Sequence, residues 1–145
     1  MRVYLDLCAL KRPFDAPRSY RVVVEALAVA ALVRESEQGR LEIIGSTALD
    51  LENSKNPNQE RRDTVAVILG RLHTVVPADN LVMARARQIE RQGIRPMDAL
   101  HVACAERVRC RYFVTCDDKL LRAGTRLASN LKVEVVSPPE IVSVL

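Results

Sequence analysis

Aromatic residues are scarce in this chain: three Tyr, two Phe and no Trp among 145 residues. The core must therefore be built from Leu, Val, Ile and Ala. Hydrophobic residues make up 48% of the chain, enough for a single domain over 1–145 with a sizeable core. No apolar run is long enough to span a bilayer. The opening residues Met1-Arg2-Val3-Tyr4-Leu5-Asp6 lack the long apolar stretch and cleavage site of a signal peptide. A soluble cytoplasmic protein with no membrane partner is expected. No Cys-x-x-Cys pair occurs among Cys8, Cys104, Cys110 and Cys116, and His73 and His101 stand at no ligand spacing. That argues against a zinc site and for reduced, mostly buried thiols. Neither a Gly-x-Gly-x-x-Gly nor a Gly-x-x-x-x-Gly-Lys loop is present, so the usual nucleotide-phosphate loops are missing.

Charge is present in both signs. The 22 basic and 18 acidic residues leave a net charge of +4, a mild excess that permits a polyanionic partner without requiring one. Arginine clusters at Arg61-Arg62, at Arg85, Arg87, Arg91 and Arg95, and at Arg107, Arg109 and Arg111. Each cluster alone is explained by a solvated helix face. Together, around an acidic pocket, they would hold a phosphate backbone.

Short apolar runs alternate with helical patterns, which predicts an α/β fold with a parallel sheet covered by helices. Strands are expected near 2–6, 41–45, 73–76, 111–115 and 132–136. A first long helix should run from about 19 to 38, capped by Ser19 and ended by Gly39. Val23, Val24, Leu27, Ala30 and Ala31 recur along it at helical spacing. A short helix carrying Leu49 and Glu52 should follow Ser46 or Thr47, then helices at about 58–71 and 79–92. Pro96 starts another, and a last short one follows Asp117.

Against this background four acids are conspicuous. Asp6 ends the apolar run Val3-Tyr4-Leu5, and Asp117 follows Tyr112-Phe113-Val114-Thr115-Cys116. Asp98 lies in the nearly apolar start Pro96-Met97-Asp98-Ala99-Leu100, and Glu52 follows Ser46-Thr47-Ala48-Leu49. Singly, each has an ordinary explanation. Asp6 suits a turn, Asp117 a helix cap that Asp118 could share, and Asp98 the favourable end of a helix dipole. Glu52 suits an exposed helix face, with Asp50 as its rival. Jointly, the explanation changes. Binding crevices in open parallel sheets lie beyond the carboxyl ends of the strands, where Asp6 and Asp117 are expected. Two carboxylates 4 Å apart repel by about 4 kcal/mol at an effective dielectric near 20, so converging acids need a cation. All-oxygen donors select Mg²⁺ or Mn²⁺ over zinc. Such ions can activate water and stabilise both oxygens of a phosphodiester displacement, with no Ser, Cys or His nucleophile. A receiver-like or phosphatase-like domain fits less well. A phosphatase would want a second Asp where Cys8 stands, and Lys119 is too close to Asp117 for a receiver's lysine.

Several segments resemble, in order, the motifs of the PIN-domain family: Val3-Tyr4-Leu5-Asp6, Ser46 through Glu52, Asp98 through Glu106, and Phe113 through Asp118. Lys11-Arg12-Pro13-Phe14-Asp15 is similar to the Arg-Pro-Phe-Asp element of one bacterial subgroup. The resemblance covers nearly the whole chain. It implies a three-layer α/β/α sandwich with a central parallel sheet of about five strands. It also implies a VapC-like ribonuclease dependent on Mg²⁺ or Mn²⁺ and acting on RNA. Many small relatives are toxins, often homodimeric, held inactive by an antitoxin protein. Carried over by position, Asp6, Glu52, Asp98 and Asp117 would be the catalytic and metal-holding acids. Asp118 would assist, and Thr115 would orient a carboxylate. One position departs: the residue after the first Asp is often Thr or Ser in relatives, and here it is Leu7. That departure leaves a second reading open, a PIN fold that binds RNA or protein without cleaving.

Overall fold

The computed structural model describes all residues, 1–145. Five strands form one all-parallel sheet: β1 Arg2–Leu5, β2 Glu42–Ser46, β3 Val75–Val76, β4 Tyr112–Val114 and β5 Glu134–Val136. Their spatial order is β3-β2-β1-β4-β5. β1 is the middle strand, pairing Tyr4 with Ile44 of β2 on one side and with Phe113 of β4 on the other. The chain leaves β1 toward β2 and β3, then crosses back to add β4 and β5. The sheet order therefore reverses between β1 and β4, which opens a crevice at their carboxyl ends.

Eight helices connect and cover the strands: α1 Leu7–Lys11, α2 Tyr20–Glu37, α3 Thr47–Ser54, α4 Gln59–Gly70, α5 Asn80–Glu90, α6 Pro96–Arg107, α7 Asp118–Arg126 and α8 Pro138–Val142. They make the two outer layers of an α/β/α sandwich. The right-handed crossover places α2 and α5–α6 on opposite faces of the sheet. α5 lies along α6, and α2 along α8. No helix is long and apolar enough to cross a membrane.

Local chemistry explains most boundaries. Ser19 caps α2 by accepting from the Val22 N–H, and Gly39 ends it at a positive φ of 72°. Ser46 caps α3, Asn58 caps α4 and Asp79 caps α5. Gly93 follows α5 at φ 102°, and Pro96 opens α6. α1 and α8 were not expected; with five residues each they are too short to show a period.

The apolar stripe of α2 identifies the helix but not its buried side. Ala28, Val29 and Leu32 face the core, while Val23, Val24 and Leu27 are exposed. The buried face also holds Glu25, which pairs with Arg21 and Arg12. The core itself is aliphatic as composition required. Its only large rings are Tyr4, Tyr112 and Phe113, with Tyr4 and Phe113 stacked at 5.3 Å between centroids. All four cysteines are free thiols, and three of them are buried.

α7 comes so close to β5 that a Cβ on Gly124 would lie 2.4 Å from Val135 Cβ. Gly124→Ala should therefore lower stability by about 1–3 kcal/mol. Thermal unfolding measures this; an unchanged melting temperature would mean the two elements are not packed this way.

Candidate metal centre

Asp6 follows β1 directly, and its backbone N–H continues the ladder by donating to Val114 O at 2.9 Å. Its side chain is almost fully buried, 6% exposed. Oδ1 accepts the Leu7 N–H at 2.8 Å, which caps α1. Oδ2 accepts the Thr115 hydroxyl at 2.9 Å and the Cys8 thiol at 3.2 Å. Thr115 comes from the end of β4 and also accepts the Asp117 N–H at 3.1 Å. It orients a carboxylate, and that carboxylate is Asp6. The Leu7 side chain is buried in the core, and only its backbone N–H reaches Asp6.

Asp117 caps α7 by accepting the Lys119 N–H at 2.9 Å, as its ordinary reading required, and still lines the crevice. Glu52 is set by the rotation of α3. Ala48, Leu49 and Asn53 are buried, which turns Glu52 inward and leaves Asp50 exposed. Asp98 sits in the first turn of α6, a helix buried from Ala99 through Glu106 except for half-buried Leu100. Asp6, Glu52, Asp98 and Asp117 thus line one open cavity of about 370 Å³, with Lys11 and Lys55 at its edge. Asp118 lies outside it. Its exposed carboxylate takes two bonds from Arg21, at 2.8 and 2.9 Å.

The repulsion in this cavity is visible. Burial lifts the pKa of Asp98 above the usual carboxylate value, and the negative charges of Asp6 and Asp117 add to the rise while Arg95 opposes it. Arg95 bridges Asp98, at 3.2 Å, and Asp117 from the exposed rim. A solvent-exposed guanidinium on two carboxylates is worth little and is easily displaced.

One further residue belongs here, and spacing rules had set it aside. His101 stands three residues after Asp98, so both project from one face of α6. Its ring is fully buried, with Nδ1 2.7 Å from the Tyr4 hydroxyl. Nε2 lies 3.3 Å from Glu52 Oε1 yet has no hydrogen-bond partner. Donor atoms of Asp6, Glu52 and His101 all fall within 4.8 Å of one another. Burial pushes the Tyr4 hydroxyl well above its usual pKa, so it stays a neutral hydroxyl that can both donate and accept. Four carboxylates around one cavity fit a divalent cation, and the His101 ring lies close behind Asp6 and Glu52. The i, i+3 step from Asp98 was the signal that could have identified His101.

A family model described as PIN domain matches residues 9–125. The chain belongs to the PIN-domain family. In fold it is similar to two solved complexes, each bound to DNA. One is VapBC2 of Rickettsia felis, with a promoter fragment (TM-score 0.55, 16% identity, 94% of this chain and 98% of that one). The other is VapBC of Salmonella typhimurium (TM-score 0.60, 15% identity, 95% and 98%). No curated protein matches the sequence.

Asp98 yields a pH test in metal-free protein. The folded state holds its proton more tightly than the unfolded chain, because its pKa is raised. Stability is therefore lost as pH rises from the usual Asp value through the raised one. Asp98→Asn should melt higher than wild type at neutral pH in EDTA, and the gap should close as the solution is made acidic. A gap that stays constant with pH would rule out this origin.

Proposed function

We propose that this protein is an endoribonuclease dependent on Mg²⁺ or Mn²⁺, and the toxin of a toxin–antitoxin pair. The observation that carries the nuclease reading is the convergence of Asp6, Glu52, Asp98 and Asp117 on one cavity with too few local cations to balance them. A divalent cation bound there would polarise the scissile phosphate and acidify a water molecule. The chain's own groups do the rest. Thr115, Cys8 and the Leu7 N–H fix both oxygens of Asp6, and Glu52, Asp98 and Asp117 complete the acidic wall. Lys11 and Lys55 form no ion pair, which leaves them free to hold flanking phosphates of the RNA. The toxin role rests on the family resemblance and on the likeness to VapBC complexes. In this reading Arg12-Pro13-Phe14-Asp15 is the subgroup element. It braces the cavity's rim, since Asp15 takes Arg12 at 3.1 Å and Arg61 at 2.8 Å, which ties the turn to α4.

The non-catalytic reading was motivated by Leu7. Against that reading, Asp6 receives donors from Thr115, Cys8 and the Leu7 backbone. Purified protein with Mn²⁺ should cleave single-stranded RNA, and Asp6→Asn should abolish cleavage while leaving the circular dichroism spectrum unchanged. Equal cleavage by the variant would trace the activity to a contaminant or another site.

The exposed stripe Tyr20, Val23, Val24 and Leu27 on α2 supports a homodimer built on that face. Sedimentation velocity should give a dimer for wild type and a monomer for Leu27→Glu; a monomeric wild type would reject this interface.

A further inference from the structure

The unpartnered nitrogen of His101 separates this cavity from an all-carboxylate one. The ring is sealed between β1, α3 and α6, at 0% exposure, so Nε2 meets no solvent. Its other nitrogen ends a chain of hydroxyls. Nδ1 lies 2.7 Å from Tyr4 Oη, Tyr4 Oη lies 2.6 Å from Ser46 Oγ, and Ser46 Oγ accepts the Leu49 N–H at 3.0 Å. With the proton on Nδ1, the ring donates to Tyr4 and Tyr4 donates to Ser46, leaving a lone pair on Nε2. With the proton on Nε2, its acceptor would be Glu52 Oε1 at 3.3 Å, but Nε2 makes no hydrogen bond there. A metal-binding histidine has this arrangement: one nitrogen fixed by a hydrogen-bonded neighbour, the other turned toward the ion.

We propose that His101 Nε2 is a direct ligand of the cation held by Asp6 and Glu52, and that the site consequently prefers a cation accepting imidazole nitrogen, Mn²⁺ over Mg²⁺. This rests on the acidic cavity being a metal site, as proposed above, but not on RNA being its substrate. Donors at about 2.1 Å from one ion lie no more than about 4.2 Å apart. The donor atoms of Asp6, Glu52 and His101 lie within 4.8 Å of one another, so binding asks for a movement that brings them toward the roughly 3 Å between neighbouring ligands of an octahedral ion. Glu52, half-buried on its helix, is the member able to supply it. Imidazole suits transition ions, whereas Mg²⁺ favours oxygen and water.

The full-length protein loaded with one equivalent of Mn²⁺ tests this by pulsed electron paramagnetic resonance. Directly bound ¹⁴N should modulate the echo. Growth on ¹⁵N-histidine should convert that modulation to the ¹⁵N pattern, with no substitution and so no risk to folding. His101→Gln should lose it and should narrow the preference for Mn²⁺ over Mg²⁺ measured by calorimetric competition. Stoichiometric Mn²⁺ lost in Asp6→Asn but showing no histidine nitrogen in wild type would overturn the proposal while sparing the acidic site. Wild type and Asp6→Asn binding Mn²⁺ equally, or not at all, would overturn both. RNA cleavage enters none of these readings, so failure of the substrate assignment would show separately.

Discussion

A nearly buried carboxylate at the floor of an open cavity holds this end of the molecule together. Asp6 sits at the tip of the middle strand, and an ionised group there is costly unless its oxygens are occupied. The chain occupies them from three directions: the first turn of α1, the Cys8 thiol, and Thr115 from the neighbouring strand. Those bonds do more than satisfy Asp6. They fix the relative position of β1, α1 and the end of β4, and Thr115 passes the constraint on to the Asp117 backbone. The crevice at the sheet's reversal point is thus shaped by the same bonds that keep its deepest charge in place.

The other three acids make the arrangement expensive. Hydrogen bonds from neutral donors stabilise one carboxylate but do not cancel the field of four. Arg95 is the local answer, and it is a provisional one, since its guanidinium is mostly in solvent and spans only Asp98 and Asp117. No arginine reaches Glu52, whose Oε1 lies 3.3 Å from the buried Nε2 of His101. Charge left unbalanced at the inner end, and balanced by a displaceable group at the outer end, is what the proposed cation site would require.

How much of this could be read beforehand depended on the element. Asp6 and Asp117 were legible because strands are short, β-branched and bounded, so a residue just beyond one has a defined place. Glu52 and Asp50 could not be separated, because two residues on a short helix differ only by its rotation. Burial of Ala48, Leu49 and Asn53 decides that rotation, and it is a property of the sheet beneath. The stripe on α2 misleads as to the core because its apolar residues lie outward, while the buried side spends a place on Glu25 and its arginines. His101 carries no ligand-spacing signal, because ligand spacings describe sites made from one local segment. This site draws on β1, α3, α6 and the end of β4, which only the tertiary fold brings together. At Leu7 the group that reaches Asp6 is the backbone N–H, which carries no signal in the sequence.

The central claim is that these acids form one site requiring one kind of cation. Anything that binds only the folded state raises stability in proportion to the logarithm of its concentration once binding saturates. Thermal unfolding in EDTA and in a rising Mn²⁺ series measures this without reference to substrate or product. The account predicts that the melting temperature of wild type climbs steadily with Mn²⁺, and that Asp117→Asn climbs markedly less from a higher metal-free starting point. A wild-type melting temperature that is flat across the series would contradict it.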